Sequence, residues 1–144
     1  MDSELIAGIF VPALASKLKL VRLEIRAVIE SICGDSEYID HIVIAVNEAS
    51  MNVIQHAYKD GESGDIMIKI YKNDGHLVFH VIDFAEPIDV AKVKPRDVNE
   101  LRPGGLGLHI INEIMDEVNF IENKNGKGNI LEMKVRLNPA VENN

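Results

Sequence analysis

The chain has 144 residues, 47% of them hydrophobic, which is enough for one domain with a substantial core. Its net charge is −8 at pH 7 and no basic cluster stands out, so direct binding to nucleic acid is disfavoured. No apolar run reaches the roughly 18 residues that a membrane span needs. The only cysteine is Cys33, which excludes a disulfide framework and a cysteine-based metal site and is typical of a protein of the cytoplasm.

The first part of the chain is predicted to form a strand and a helix. Residues 4–11 are predicted as a strand that ends at the turn made by Pro12. Apolar residues recur at helical spacing over 14–33, and Gly34 suits the position just after a helix end. We therefore expect a helix over 14–33.

Residues 40–58 form the most regular pattern in the chain, with no glycine or proline. Their apolar residues follow the i, i+3, i+4, i+7 spacing of a helical stripe: Ile42, Ala45, Val46, Ala49, Val53 and Ala57. Glu48, Asn52 and His56 follow one another four residues apart and are predicted to line one edge of this helix. A buried carboxylate and amide need partners, so this edge is either satisfied by nearby backbone or faces a ligand or a metal.

Two strands and a long loop are predicted next. Residues 65–72 and 76–83 alternate between apolar and polar side chains, and the Asn-Asp-Gly sequence at 73–75 predicts a tight turn between them. Residues 84–103 contain three prolines and little periodicity. A long irregular segment of this kind inside a compact domain is typical of a functional lid.

The last part of the chain supplies one helix and a second pair of strands. A glycine run at 104–107 opens a helix predicted over 108–116. Strands are predicted at 117–122 and 129–137, joined by a polar turn that contains glycine. Helices and hairpins in this order predict an α+β fold, a two-layer sandwich in which a mixed, mostly antiparallel sheet carries its helices on one face.

Three features are expected to converge on one cleft. Glu48 and Asn52 lie on the long helix, and Asp83 ends an apolar strand where the lid loop begins. The glycine run at 104–107 precedes a helix, where accessible N–H groups and the partial positive charge of the helix N-terminus favour an anion. Each signal is weak alone, because strand-end aspartates are commonly turn formers and glycines commonly cap helices.

Several motifs, taken in order, resemble one family. Residues 48–52 read Glu-Ala-Ser-Met-Asn and 56–58 read His-Ala-Tyr; Val-Ile-Asp at 81–83, Gly-Gly-Leu-Gly-Leu at 104–108 and Met-Asp-Glu-Val at 115–118 follow. Together they resemble the histidine-kinase-like ATPase (GHKL, Bergerat) fold, and most of all its single-domain branch of anti-sigma-factor serine-protein kinases. The resemblance implies one such ATPase domain over 1–144, with an ordered core over about 4–137.

The resemblance implies a role for each motif residue. Glu48 would be the catalytic general base, and Asn52 would hold Mg²⁺ through its amide oxygen. Asp83 would accept a hydrogen bond from the adenine amino group and so select ATP over GTP. The phosphates would be wrapped by the glycine run and the amides around it: Gly104, Gly105, Leu106, Gly107 and Leu108. Arg102 would either reach the terminal phosphate or be a solvated lid residue, and His56 would either contact the nucleotide or only pack.

The segment after the adenine aspartate departs from the family pattern. The family reads Asp-x-Gly-x-Gly, whereas this chain has Ala85 and Pro87 at the two glycine positions. Alanine fits only where φ is accessible to an L residue, and proline removes a backbone donor and stiffens the loop. The departure leaves an alternative to catalysis, a nucleotide-gated module that only binds a regulatory protein.

By resemblance, the chain is expected to be an ATP-dependent serine/threonine-protein kinase of bacterial partner switching. It would phosphorylate a STAS-domain antagonist and hold a sigma factor or a similar regulator inactive, with the nucleotide state deciding between them. A sensor histidine autokinase is not expected, because the 144 residues leave no room for a phosphoacceptor hairpin. The resemblance also implies a homodimer through residues 4–33, where an exposed edge strand would fit.

Overall fold

The structure is a computed structural model that describes residues 3–58, 63–85, 106–123 and 126–137. In chain order its elements are β1 (Glu4–Pro12), a 3-10 turn (Ala15–Lys17), α1 (Leu18–Glu30), α2 (Ser36–Asn52), a π-helical turn (Val53–Ala57), β2 (Asp65–Asn73), β3 (His76–Asp83), α3 (Leu106–Ile114), β4 (Glu117–Ile121) and β5 (Asn129–Arg136). No helix among these residues is both long and apolar enough to cross a membrane.

The five strands form one sheet in the order β1-β2-β3-β5-β4. Each neighbouring pair is antiparallel. β3 is therefore the central strand, and its last residue, Asp83, lies opposite Ile66 of β2 and Asn129 of β5. The expected α+β sandwich is confirmed, while the sheet that was predicted to be mixed is antiparallel at every described pair.

The core lies between one face of this sheet and the helices. Alternate residues of β2, namely Ile66, Ile68 and Ile70, are at most 1% exposed. The buried face of α1 is formed by residues spaced four apart: Val21, Ile25 and Ile29. α1 also packs against β1, and α2 packs against β3 and α3. Since each fully buried side chain of this size contributes about 1.5–3 kcal/mol, this layer fixes where α2 lies over the central strand.

α2 begins earlier than its apolar pattern predicts. The predicted start was residue 40, but the helix begins at Ser36, because Asp35 caps it. Oδ1 of Asp35 accepts hydrogen bonds from the backbone N–H groups of Glu37 at 3.0 Å and Tyr38 at 3.2 Å. The cap satisfies backbone donors that a helix N-terminus leaves without partners. The segment predicted only to close the preceding helix therefore also starts this one.

The end of the same helix also differs from the prediction. A regular α-helix was expected to continue to Tyr58, but α2 ends at Asn52 and Val53–Ala57 forms a π-helical turn. A π turn contains more residues than an α turn, so His56 does not keep the four-residue spacing that would stack it on Asn52. His56 is exposed, whereas Glu48 and Asn52 are partly buried.

The hairpin between β2 and β3 agrees with its sequence signature. Gly75 has φ of 78°, a conformation that favours glycine. The predicted helix at 14–33 is divided into the 3-10 turn and α1, and the helix predicted from residue 108 begins at Leu106. These shifts are confined to element ends, where helix assignments vary most.

We predict that Asp35→Ala lowers the free energy of unfolding by about 1 kcal/mol, because the first turn of α2 loses its capping acceptor. Asp35→Asn retains an acceptor oxygen and is the matched control, with little expected loss, because asparagine and aspartate cap helices about equally well. Urea denaturation followed by circular dichroism would measure both. An equal loss in the two variants would contradict the cap.

Candidate functional site

The polar edge of α2 contains an amide oxygen that has no hydrogen-bond partner in the described part of the chain. Within the described residues, Oδ1 of Asn52 is buried and accepts no hydrogen bond. Ser50, on the same helix, shows the usual solution, since its Oγ donates to the carbonyl of Val46 at 2.9 Å. A buried acceptor without a partner carries a free-energy cost unless a ligand, an ion or water completes it. Asn52 therefore has the property expected of a ligand-binding side chain.

Asp83 is the second functional candidate, and it is fixed from two directions. Asp83 is only 6% exposed. Oδ1 accepts hydrogen bonds from the backbone N–H of Ala85 and from Nδ2 of Asn129, each at 3.0 Å. An ionised carboxylate has about four acceptor sites, so these two bonds orient the group without filling it. The carboxylate is held in one position and can still accept a hydrogen bond from a ligand.

Burial raises the pKa of Asp83 above its ordinary value of 3.8. Hydrogen bonds from the Asn129 side chain and from the Ala85 and Asn129 backbone act in the opposite direction, because they favour the charged form. The ionised group is therefore less stable here than in water. A donor supplied by a ligand would stabilise it further.

Gly128 permits the close approach of β5 to the end of β3. It is buried, and its φ of 113° lies in the region that favours glycine. A Cβ atom at this position would overlap the carbonyl oxygen of Asp83. The missing side chain lets Asn129, the next residue, reach the Asp83 carboxylate.

The backbone conformation of Ala85 shows whether alanine can replace the family's glycine at this position. No residue other than glycine has a positive φ in the described part of the chain, so the backbone of Ala85 is accessible to an L residue. Its N–H also makes the bond to Asp83 already described. Alanine at this glycine position is therefore compatible with the fixed aspartate. Pro87 lies outside the described residues.

α3 places its N-terminus towards the Asn52 end of α2. A surface cavity of about 370 Å³ is lined by the first turns of α2 (Tyr38, His41, Ile42) and by the end of α3 (Glu113, Ile114), together with Val135. The start of α2 thus meets the end of α3, so the two packed helices run antiparallel. The free N–H groups of the first turn of α3 consequently lie on the side of Asn52.

The glycine-run residues are only partly described. Leu106 and Gly107 form the first turn of α3, and Leu108 is 4% exposed and belongs to the core. The side chain of Leu108 therefore packs, and only its backbone N–H is available to a ligand. Arg102, Gly104 and Gly105 were also predicted to bind the phosphates, and they lie outside the described residues.

The donor set restricts the kind of metal ion that could bind. The described residues contain no group of three or more His, Cys, Asp or Glu side chains placed to hold a metal. A magnesium ion does not need such a group, because it keeps several waters and takes phosphate oxygens as ligands. The unpartnered Oδ1 of Asn52 therefore fits a magnesium ion that arrives with a nucleotide.

Sequence reasoning missed Asn129 and Gly128 as contributors to the site. Both lie in what was predicted as a hairpin turn and the start of a strand. Their importance comes from the pairing of β5 with β3, strands that the chain separates by α3 and β4. The glycine at 128 was the available signal, since a glycine just before a strand can mark a close backbone approach.

Comparison with family models and with curated proteins gives one consistent result. Residues 11–135 match the model of the histidine kinase-like ATPase domain. The chain is 35% identical to the serine-protein kinase RsbW of Oceanobacillus iheyensis over 116 residues, which cover 75% of this chain and 73% of that protein. It is 31% identical to the RsbW of Bacillus subtilis over 125 residues, covering 81% and 77% of the two chains.

Solved structures show the same fold at lower identity. The structure of the RsbU and RsbW domains of Rv1364c from Mycobacterium tuberculosis superposes with a TM-score of 0.64 at 20% identity. The match covers 92% of this chain and 33% of that one. The SiaB–SiaC complex from Pseudomonas aeruginosa gives a TM-score of 0.57 at 14% identity, covering 93% and 91% of the two chains.

We predict that Asp83→Asn does not destabilise the ligand-free protein at pH 7. The asparagine keeps an oxygen for the bonds from Ala85 and Asn129 but removes a buried charge. Because folding raises the pKa of Asp83, the ionised wild type loses stability as the pH rises through that pKa. The variant should therefore melt at the same or a higher temperature at pH 7, and its advantage should shrink as the pH falls towards 3.8. Thermal melts across this pH range would test it; a large, pH-independent loss would contradict it.

Proposed function

We propose that the chain, which belongs to the family of histidine kinase-like ATPase domains, is an ATP-dependent serine/threonine-protein kinase. Within that family it belongs to the branch of the RsbW serine-protein kinases. The observation that carries the proposal is the unpartnered Oδ1 of Asn52, one helical turn after Glu48. Oδ1 of Asn73 is likewise buried without a partner among the described residues, but Asn73 ends β2 at the hairpin turn, whereas Asn52 lies on the same helix edge as Glu48. The single domain that we propose extends over 1–144.

Asp83 is the proposed recognition group for adenine. Its oriented carboxylate would accept a hydrogen bond from the amino group of adenine. Guanine has a carbonyl oxygen at that position, which would face a carboxylate without a proton between them. A buried acceptor left without its donor discriminates strongly between substrates, so ATP would be preferred over GTP.

The phosphates would lie between α2 and the start of α3. The N–H groups of the first turn of α3 and the glycine run before it would hold the phosphate oxygens: Gly104, Gly105, Leu106, Gly107 and Leu108. Arg102 is proposed to reach the terminal phosphate. Asn52 would hold a magnesium ion through Oδ1, and such an ion neutralises charge on the phosphates when bound.

Glu48 would act as the general base. In the proposed step, the hydroxyl oxygen of a partner's serine or threonine forms a bond to the γ-phosphorus while the bond to the β–γ bridging oxygen breaks. The hydroxyl proton passes to Glu48, and ADP leaves. Glu48 is partly buried on the same helix edge as Asn52, so one rigid element positions both groups.

The proposed partners are those of partner switching. The phosphate acceptor would be a small STAS-domain antagonist, and the alternative partner would be a sigma factor or an equivalent regulator, with all of them in the cytoplasm. A nucleotide can select between two partners only if each binds the ATP and ADP forms with different affinity.

The alternative is a nucleotide-gated binding module without phosphoryl transfer. It rests on the loss of both family glycines after Asp83, at Ala85 and Pro87. The accessible φ of Ala85 weakens that argument at the first of the two positions. The same assay that tests catalysis separates the two functions.

We predict that Glu48→Gln lowers transfer of labelled phosphate to a STAS-domain partner about 100-fold or more, because the base is removed. Binding of ADP, measured by calorimetry, should change little. Glu37→Gln is the matched control, since Glu37 lies on the first turn of the same helix, away from the site. ADP binding without labelling by any form of the protein would support the module, and full labelling by Glu48→Gln would exclude Glu48 as the base.

We propose further that two copies associate through β1 and α1. β1 is an edge strand, and none of the other described strands pairs with its outer side. α1 carries an apolar pair on its outer surface, Leu20 and Leu23, which are 43% and 56% exposed. Arg22 and Arg26 bond to Asn47 and Asp40, so they mark the side of α1 that faces α2. The two leucines are exposed and lie outside the buried face of α1.

We expect Leu23→Glu to convert this dimer to a monomer, because a charge would be buried in an apolar contact. Ile44→Glu is the matched control, since Ile44 is 44% exposed on α2, away from β1. Light scattering coupled to gel filtration would give the masses. A monomeric wild type, or dissociation by the control alone, would refute the interface.

A further inference from the structure

The hydroxyl of Tyr58 joins three parts of the molecule at the end of the sheet. It donates to the carbonyl oxygen of Asp65 at 2.7 Å. It accepts from the N–H of Asp65 at 3.2 Å and from the N–H of Phe84 at 2.9 Å. A hydroxyl has one donor and two acceptor sites, so every site is used. Tyr58 directly follows the π-helical turn, so the bonds tie the end of the α2 segment to β2 and to the residue after Asp83.

These three backbone groups would otherwise complete the sheet. The last pair between β2 and β3 is Ile66 with Asp83, so the next pair would be Asp65 with Phe84. Alternating antiparallel pairing gives that pair two direct N–H to carbonyl bonds. The tyrosine hydroxyl occupies their place and bonds to both sides. The two strands therefore stop pairing directly after Asp83.

The chain turns at this point in a way that orients the carboxylate. Ala85 N–H bonds back to Oδ1 of Asp83, which requires the backbone to leave the strand direction at Phe84. Phe84 is held by Tyr58 at the same residue. Burial raises the pKa of Tyr58 above its ordinary 10.0, so the hydroxyl keeps its proton and can donate to Asp65.

The ring of Tyr58 is also confined. A Cβ atom added at Gly64 would overlap the ring of Tyr58. The carbonyl of Gly64 accepts a bond from the N–H of Ala13 at 2.8 Å, which fixes the glycine against the end of β1. The hydroxyl is thus positioned from the ring side as well as by its bonds.

We propose that Tyr58 is a specificity-determining positioning residue, which holds the Asp83 carboxylate where it can accept the adenine amino group. The inference rests on the proposed adenine role of Asp83. It assigns to the tyrosine no contact with the nucleotide. Its effect is expected only on ligands that carry the amino group.

The test compares binding of ATP with binding of purine-riboside triphosphate, which lacks that amino group, by calorimetry with Mg²⁺. Wild-type protein should prefer ATP at least about tenfold, and Tyr58→Phe should lose most of that preference while its affinity for the purine-riboside compound changes less than about twofold. A general loss of structure would lower the affinity for both ligands alike.

Tyr38→Phe is the matched control. Tyr38 also donates its hydroxyl to a backbone carbonyl, that of Arg136, at 2.6 Å, but at the opposite end of α2. The Tyr38→Phe variant should retain the preference for ATP. Gly64→Ala is the second variant, because it displaces the ring but leaves the hydroxyl present, and it should lose the preference as Tyr58→Phe does.

An unchanged preference in Tyr58→Phe and Gly64→Ala, with wild type binding ATP, would overturn the role of Tyr58 and leave the proposed function intact. So would an equal loss in Tyr38→Phe. A wild-type protein that binds neither triphosphate would overturn the proposed function, and the positioning role with it.

Discussion

The buried carboxylate at the end of the central strand is the constraint on which the candidate site depends. Asp83 lies where β2, β3 and β5 all come to their ends, and it is almost fully removed from solvent. A charge in such a place is unfavourable unless hydrogen bonds fix it. Asn129 and Ala85 supply these bonds, and Gly128 gives them room. The local backbone is therefore arranged around one oriented acceptor.

The helical layer supplies the other half of the site. α2 is buried along one stripe, so its position over β3 is determined by packing, and its polar edge is presented beside that stripe. The antiparallel packing of α3 then brings a helix N-terminus to the Asn52 end. Glu48, the candidate base, and the first-turn N–H groups of α3, the candidate phosphate donors, are thus held on helices. Nothing in this arrangement requires a preformed metal cage.

Much of this was predictable from local patterns. The apolar stripe from Ile42 to Val53 predicted α2, and the alternation of apolar and polar residues predicted β2. Burial of one face of a helix or strand produces such a periodic pattern in the sequence. The motif residues Glu48, Asn52 and Asp83 were identified by resemblance, and the family assignment is confirmed. Their individual roles remain proposals.

The parts that were not predictable depend on contacts between distant residues. The start of α2 is determined by the Asp35 cap, and the π-helical turn at 53–57 ends its regular α-helical geometry. Neither feature produces a hydrophobic periodicity in the sequence. Asn129 acquires its role only when β5 pairs with β3 across an intervening helix and strand. The Tyr58 hydroxyl likewise meets Phe84 only in the folded chain. Register and long-range pairing determine these contacts, and single-residue propensities do not report them.

The most direct measurement is a crystal structure of the protein with Mg²⁺ and a non-hydrolysable ATP analogue. We expect the adenine amino nitrogen within about 3 Å of the Asp83 carboxylate and the metal at about 2.1 Å from Oδ1 of Asn52. A nucleotide bound elsewhere, such as in the cavity between the first turns of α2 and the end of α3, would contradict it. So would a bound nucleotide whose metal leaves Oδ1 of Asn52 without a partner.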